Sequence, residues 1–215
     1  MRNLLYKEFR LVLHPGFYLV LLTAALILIP SWVYFVAMSY IYFIAISNLF
    51  GLTKSNNDTA FSILMPVKKT DVVKARIISI CFLELLNVVA AIPFAVINFM
   101  IYKGNNALMD PNLAFFGFVL IMYGIFNFLF FPSFYKTGYK LAWPLIKAMI
   151  IAVLFSMAVE LLVFNVPFLH EALDSTNPDM FIWKFLTLLA GIVIFVLSNI
   201  FAFKLSAKRF ERLEF

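Results

Sequence analysis

Long apolar stretches separated by short polar segments dominate this chain. The approximate bounds of these stretches are residues 16–51, 77–102, 113–131, 143–165 and 183–204. The first stretch would form roughly 50 Å of helix, too long for one crossing of a hydrocarbon layer about 30 Å thick. Because proline interrupts a helix and Pro30 lies near its middle, we predict two spans there, at 16–29 and 32–50, with a single kinked helix as the alternative. The pattern therefore predicts an all-α integral membrane domain over residues 1–215 with six transmembrane helices.

Composition agrees with a membrane protein. The 215 residues are 64% hydrophobic and 13% charged, and the mean hydropathy is +0.99. Soluble domains contain roughly a quarter charged residues, so an ordinary soluble domain is excluded. The formal charge of +6 is better explained by basic loops beside a membrane than by a nucleic-acid partner.

The basic residues are unevenly distributed between the predicted loops. With six spans, 15 of the 17 lysines and arginines fall on the side that holds both termini. Because basic loops stay in the cytoplasm, we predict cytoplasmic termini and a multi-pass protein of the plasma membrane. The charged loop residues assigned to the opposite side are Lys103, Asp110, Glu171, Asp174, Asp179 and Lys184.

The N-terminal segment has an amphipathic pattern. At 100° per residue, Leu5 and Phe9 lie on one helix face, and Lys7 and Arg10 lie on the other. We predict an interfacial helix over residues 1–15 that lies along the membrane surface. Two roles are open for this helix. It anchors the chain at the membrane surface, or it also contacts a partner protein.

The pattern predicts a second short helix within the loop at residues 52–76. Asp58 can cap it, Phe61, Leu64 and Met65 make it unusually apolar for a cytoplasmic loop, and Pro66 ends it. Such a helix either folds against the membrane surface of its own chain or docks into a cytoplasmic partner. The docking residues under the second interpretation are Asp58, Phe61, Leu64, Met65, Pro66, Lys68 and Lys69.

Polar residues inside the spans are candidates for a transport pathway. On the third span, Glu84, Asn87 and Asn98 lie within an arc of about 80°. On the fifth span, Ser156 and Glu160 are one helical turn apart. These residues either line a substrate path or form hydrogen bonds that hold the helices together.

Two other sets of span residues have predicted structural roles. The aromatic residues of the second span are expected mostly to face lipid or the membrane interface; they are Trp32, Tyr34, Tyr40 and Tyr42. The small residues Thr187, Gly191 and Ser198 of the sixth span are expected to form a packing surface, within the chain or across a dimer.

Motifs for catalysis and cofactor binding are missing from the sequence. It contains no phosphate-binding G-x-x-x-x-G-K-[ST] loop, no H-E-x-x-H and no G-x-S-x-G. The two histidines, His14 and His170, fall on opposite membrane faces in the predicted topology and cannot share a metal ion. We therefore expect no catalytic residues and neither a metal nor a cofactor bound by this chain.

Three segments together resemble the permease subunits of bacterial ABC-2 type transporters. They are NLLYKEFR at residues 3–10, SILMPVKK with VVKAR at residues 62–76, and PSFYKTGYK at residues 132–140. The sequence departs from the family pattern at Met65, Lys68, Thr137 and Lys140, of which the last weakens the third match.

This resemblance implies the membrane half of an ABC exporter. Two permeases, as a homodimer or heterodimer, would pair with two ATP-binding subunits that hold ATP and Mg²⁺. Residues 58–66 would be the coupling helix. Members of this branch are often linked to the export of antimicrobial or amphipathic peptides.

Two other functions remain open at this stage. One is a stand-alone secondary transporter that couples to ions through Glu84 and Glu160, although we find no convincing inverted repeat. The other is a membrane scaffold or immunity protein that transports nothing.

Overall fold

A computed structural model describes residues 2–9, 15–55, 67–104, 106–137 and 140–212. These residues form helices joined by turns, which confirms the predicted all-α class within the described part. The helices are α1 (Arg2–Lys7), a 3₁₀-helix (Pro15–Leu28), α2 (Tyr34–Tyr40), a π-helix (Ile41–Ile46), α3 (Ser47–Ser55), α4 (Lys69–Tyr102), α5 (Leu113–Lys136), α6 (Ala142–Asn165), α7 (Pro167–Leu173), a second 3₁₀-helix (Pro178–Met180) and α8 (Phe181–Glu211).

Five helical segments are long and apolar enough to cross a membrane, and they match the second to sixth predicted spans. They are Tyr34–Gly51, Lys69–Tyr102, Leu113–Lys136, Ala142–Asn165 and Pro178–Glu211. The first predicted span is the shorter 3₁₀-helix Pro15–Leu28, of 14 residues. Because a 3₁₀-helix rises about 2.0 Å per residue, this segment is about 28 Å long, close to the thickness of the hydrocarbon layer.

The break between the first two spans lies where proline predicts it. The 3₁₀-helix ends at Leu28 and α2 begins at Tyr34. Between them, Ser31 has a positive φ of 53°, which turns the chain, and its backbone N–H donates to Asn106 Oδ1 at 3.2 Å. The alternative of one kinked helix is therefore wrong.

Helix α5 forms the centre of the bundle, with buried side chains along its whole length. Its N-terminus is capped by Asn112, whose side chain accepts from the backbone N–H groups of Ala114 at 2.8 Å and Phe115 at 3.1 Å. In its second half, the Phe130 ring stacks against those of Phe126 and Phe134, with centroid distances of 5.3 and 5.7 Å.

The second span packs Tyr34 and Tyr42 inward, whereas Trp32 and Tyr40 are half-buried and Phe43 is exposed. Tyr34 and Tyr42 are 0% and 1% exposed, and the Tyr42 ring stacks on Phe126 at a centroid distance of 3.9 Å. The prediction that the aromatic residues face lipid is therefore wrong for Tyr34 and Tyr42. Both lipid and the bundle core are apolar, so hydrophobicity alone does not distinguish the two environments.

Small residues let α5 and α8 approach closely. A Cβ atom on Gly117 would lie 2.5 Å from the carbonyl oxygen of Thr187, and one on Gly191 would lie 2.8 Å from Gly117 Cα. One on Gly124 would lie 3.2 Å from Ser198 Cβ. The predicted packing surface on the sixth span is thus confirmed, and it is used within the chain.

Helix α1 packs against α4, but its buried face differs from the predicted one. Leu4 and Glu8 are buried, whereas Leu5 and Phe9 are half-buried. The Phe9 ring meets Phe82 of α4 edge-on at 5.1 Å. Lys7 is half-buried, and Arg10 lies outside the described residues.

Candidate functional site

One end of the bundle brings together four helices that are distant in sequence. Glu8 after α1 forms an ion pair of 2.7 Å with Arg76 of α4. The Arg76 guanidinium lies 5.5 Å from the ring centre of Phe50 in α3, and Lys69 Nζ lies 5.8 Å from that of Phe210 in α8. We call this set, Glu8, Phe50, Lys69, Arg76 and Phe210, the basic end. The segments that lead to the two termini therefore share one end, as an even number of spans requires.

The Glu8–Arg76 pair is the most enclosed charged contact at this end. The two residues are 2% and 4% exposed, so each charge depends on protein groups for its stabilisation. At 100° per residue, Arg76 falls on the same arc of the third span as Glu84 and Asn98, whereas sequence reasoning gave Glu8 no role. Its position one helical turn after the buried Leu4 is the signal that could have revealed it.

The predicted docking residues fall into two groups. Asp58, Phe61, Leu64, Met65 and Pro66 lie outside the described residues. Lys68 and Lys69 lie at the start of α4, Lys68 exposed and Lys69 over Phe210. Phe50 of α3 and Lys69 of α4, which flank the connection between these helices, therefore lie at the same end of the bundle.

A buried polar cluster lies halfway along the bundle. Asn127 Nδ2 donates to Glu84 Oε2 at 2.7 Å and to Asn199 Oδ1 at 3.0 Å. Asn87 Nδ2 donates to the Tyr123 hydroxyl at 2.8 Å, which donates to the backbone carbonyl of Met38 at 3.0 Å. We call Glu84, Asn87, Tyr123, Asn127 and Asn199 the mid-bundle cluster. It joins α4, α5 and α8 and includes a contact with α2.

The mid-bundle cluster contains more acceptors than donors. Glu84 Oε1, Asn87 Oδ1 and Asn127 Oδ1 are buried without a hydrogen-bond partner, as is the Tyr42 hydroxyl. Each buried polar atom without a hydrogen-bond partner lowers the stability of the fold by about 1–3 kcal/mol. The unpaired atoms of this region therefore destabilise the bundle. The bonds that are formed favour the interhelical interpretation of Glu84 and Asn87 over a lined path.

Asn98 belongs to a different network at the opposite end of the bundle. Its Nδ2 donates to the Ile27 carbonyl at 2.7 Å and to the Tyr34 hydroxyl at 3.0 Å. Its Oδ1 accepts from Asn106 at 3.2 Å, and Asn106 also donates to Asp110. This network fixes the 3₁₀-helix and the turn after it to α4.

Glu160 joins the same end through the loop that precedes α5. Its Oε2 accepts from the Met109 backbone N–H at 3.1 Å, and Asp174 Oδ1 accepts from that of Asp110 at 2.7 Å. Ser156, one turn below Glu160, donates to the Ala152 carbonyl at 2.9 Å. We call Asn98, Asn106, Asp110, Glu160 and Asp174 the acidic end.

Burial raises the pKa values of the two aspartates of the acidic end, Asp110 and Asp174. The pKa of Asp174 rises to about 6 because desolvation outweighs the hydrogen bond from the Asp110 backbone. Burial also raises the pKa of Asp110, against the opposing effect of Asn106. Both carboxyl groups are thus neutralised more readily than an exposed aspartate.

The five intramembrane candidates do not form one continuous path. Glu84 and Asn87 lie in the mid-bundle cluster, whereas Asn98 and Glu160 belong to the acidic end. Sequence reasoning missed Asn127 and Asn199, although isolated asparagines in apolar spans are a usable signal. It missed Asn106 because a loop asparagine carries no such signal.

Three cavities border these clusters. One of about 520 Å³ lies between α4 and α8 near the acidic end, and one of about 490 Å³ lies between the same helices toward the basic end. A smaller one of about 160 Å³ lies beside Glu160. Within the described residues, no three His, Cys, Asp or Glu side chains are grouped so that they could hold a metal ion.

The comparison with known proteins gives one match. The sequence profile of a family described as "ABC-2 family transporter protein" matches residues 3–206. No curated protein and no solved structure gives a significant match to the chain.

Proposed function

Because this chain belongs to the ABC-2 family of transporter proteins, we propose that it is the permease subunit of an ATP-binding cassette exporter. The family match over residues 3–206 carries this proposal. The chain is a multi-pass membrane component with five long apolar helices and a shorter one. In the proposed complex, ATP and Mg²⁺ are bound by a separate ATPase subunit.

In this proposal the basic end faces the cytoplasm and receives the ATPase. Lysine and arginine are concentrated there, as the positive-inside rule requires of cytoplasmic loops. Phe50 and Lys69, on the two helices that flank residues 58–66, both lie at this end, which supports docking of that segment to a cytoplasmic partner. Two permeases, identical or not, would pair with two ATPase subunits.

Helix α4 is the element that would carry motion from the ATPase into the bundle. Its 34 residues extend about 51 Å at 1.5 Å per residue. It is tied to α1 through Arg76, to α5 through Glu84 and to the first span through Asn98. Closure of the ATPase pair would displace residues 58–66 and rock α4 as a rigid body between two packings.

The substrate class that best suits this bundle is hydrophobic or amphipathic, including antimicrobial peptides. The two larger cavities, of about 520 and 490 Å³, lie between α4 and α8 and have almost entirely apolar walls. Apolar pockets of this size accommodate apolar groups better than polar ones. Export would move such substrates from the cytoplasmic side of the plasma membrane outward.

The coupling assignment is tested by placing a charge in the proposed docking helix. Phe61→Asp and Met65→Asp should reduce ATPase co-purification and ATP-driven export. An aspartate buried at the contact with the ATPase loses its hydration without gaining a partner, which weakens the contact. Phe61→Leu keeps the site apolar and serves as the control. Unchanged co-purification and export in both aspartate variants would remove this assignment.

A second measurement separates the exporter from an ion-coupled transporter. Purified chain in liposomes without ATPase should show no flux driven by a pH gradient. Flux under those conditions that is abolished by Glu84→Gln would replace the exporter proposal with the secondary transporter.

A further inference from the structure

The smallest of the three cavities combines apolar walls with carboxylates. Its volume is about 160 Å³, and Met109, Val163 and Phe164 are among its apolar lining residues. Glu160 and Asp174 supply its acidic groups. The cavity lies between the end of α6, α7 and the loop before α5, apart from the α4–α8 cavities.

Glu160 lines this cavity, and one of its carboxylate oxygens has no hydrogen-bond partner. Its side chain is 7% exposed, and Oε2 is occupied by the Met109 N–H, while Oε1 is buried without a hydrogen-bond partner. A buried carboxylate oxygen left in this state is costly and is stabilised strongly by a charged donor. The cavity therefore offers an anchoring point for a cation.

His170 also lines this cavity, and the basic groups beside it contact Asp174 and Ser175. Asp174 Oδ2 lies 3.6 Å from His170 Nδ1, and Lys184 donates to the Ser175 carbonyl. Lys184 lines the neighbouring large cavity and is not among the residues that line this one. Glu160 thus retains an acceptor that no described basic side chain occupies.

From this arrangement we propose that the cavity binds a primary ammonium group carried on a short apolar stem. The ammonium group is attracted by the carboxylates of Glu160 and Asp174, and the stem contacts Met109, Val163 and Phe164. A volume of about 160 Å³ accommodates the end of a lysine side chain or a small alkylamine. The inference rests on the proposed export function and assigns this site to the cationic end of the exported molecule.

Binding is measured on the purified full chain in detergent, without ATPase, by isothermal titration with butylammonium and with butanol. Butylammonium should bind and butanol should bind at least tenfold more weakly, because it lacks the charge. Glu160→Gln should weaken butylammonium binding at least tenfold, since it keeps an acceptor for Met109 but loses the carboxylate. Ala107→Leu, which fills the cavity without changing charge, should also weaken it.

The matched control is Glu171→Gln, which removes an equal charge from the exposed side of α7 and should leave binding unchanged. A tripeptide Ac-Ala-Lys-Ala-NH₂, compared with its norleucine analogue, distinguishes a peptide lysine from a free amine as the source of the ammonium group. Equal binding of butanol, unchanged binding in Glu160→Gln, or an equal loss in Glu171→Gln would each overturn the site.

This test is independent of the exporter assignment. If butylammonium fails to bind while ATP-driven export persists, only the ammonium site is wrong. If butylammonium binds as expected but no ATPase-dependent export is found, the site stands and the proposed function fails.

Discussion

The close approach of α5 and α8 leads to a graded prediction for Gly→Ala substitutions. Gly191 packs against the backbone of Gly117, and a Cβ at Gly191 would lie 2.8 Å from Gly117 Cα. Because backbone atoms cannot rotate away, Gly191→Ala must push the two helices apart. A Cβ at Gly124 would lie 3.2 Å from Ser198 Cβ and 3.3 Å from Phe195 Cα, so α8 would have to shift by only a few tenths of an ångström. Gly51 has no heavy atom within 4 Å of an added Cβ.

The magnitudes follow from two opposing effects. Replacing glycine by alanine inside a helix stabilises it by about 0.5–1 kcal/mol, because the unfolded chain loses conformational freedom. Overpacking a tight contact costs about 1–3 kcal/mol. Gly51→Ala should therefore be neutral or stabilising, Gly124→Ala close to neutral, and Gly191→Ala destabilising by about 1–2 kcal/mol.

Thermal unfolding of the purified protein in detergent measures this order. At roughly 2–4 °C per kcal/mol for a chain of this size, Gly191→Ala should lower Tm by about 2–8 °C relative to the unmodified chain. Gly117→Ala should do the same, because its Cβ would lie 2.5 Å from the Thr187 carbonyl oxygen. The double variant should lose less than the sum of the two, since the helices have already separated.

A specific result would refute this reasoning. If Gly191→Ala and Gly51→Ala have the same Tm, the α5–α8 contact does not require glycine. Strictly additive losses for Gly117→Ala and Gly191→Ala would show that the two glycines do not share one contact.

Three further predictions concern the polar contacts. Arg76→Ala and Glu8→Ala should show a coupling energy above about 1 kcal/mol in a double-mutant cycle, because both groups are buried; additive effects on unfolding would contradict the pairing. Asn127→Leu removes the donor to Glu84 Oε2 and should cost about 1–3 kcal/mol of stability, seen as a lower Tm, and an unchanged Tm would argue against the mid-bundle cluster. The pKa of Asp174 is about 6 in the fold and about 3.9 when unfolded, so its contribution to stability is greatest at acidic pH and falls as pH rises from about 4 to 6. Asp174→Asn should flatten the Tm–pH profile over that interval, and an unaltered slope would contradict this assignment.

Much of the architecture follows from one-dimensional features of the chain. An apolar run long enough to cross a bilayer is helical there, since its backbone must satisfy its own hydrogen bonds. The second to sixth predicted spans follow from that rule. The position of Pro30 located the break between the first and second spans. The inward arc of the third span was also visible, because Glu84, Asn87 and Asn98 recur at helical spacing, and all three are buried.

The identity of each buried partner was decided by the tertiary structure. Glu84 and Glu160 are equally anomalous in the sequence, yet Glu84 is bonded to an asparagine of α5 and Glu160 to the backbone of a loop. Tyr42 and Glu8 face inward although their sequence patterns placed neither there. In a soluble protein, hydrophobic periodicity separates core from surface, but in a bilayer both sides of a helix are apolar. The sequence by itself therefore determined where the chain crosses the membrane, and only helix packing determined which face of each span meets protein.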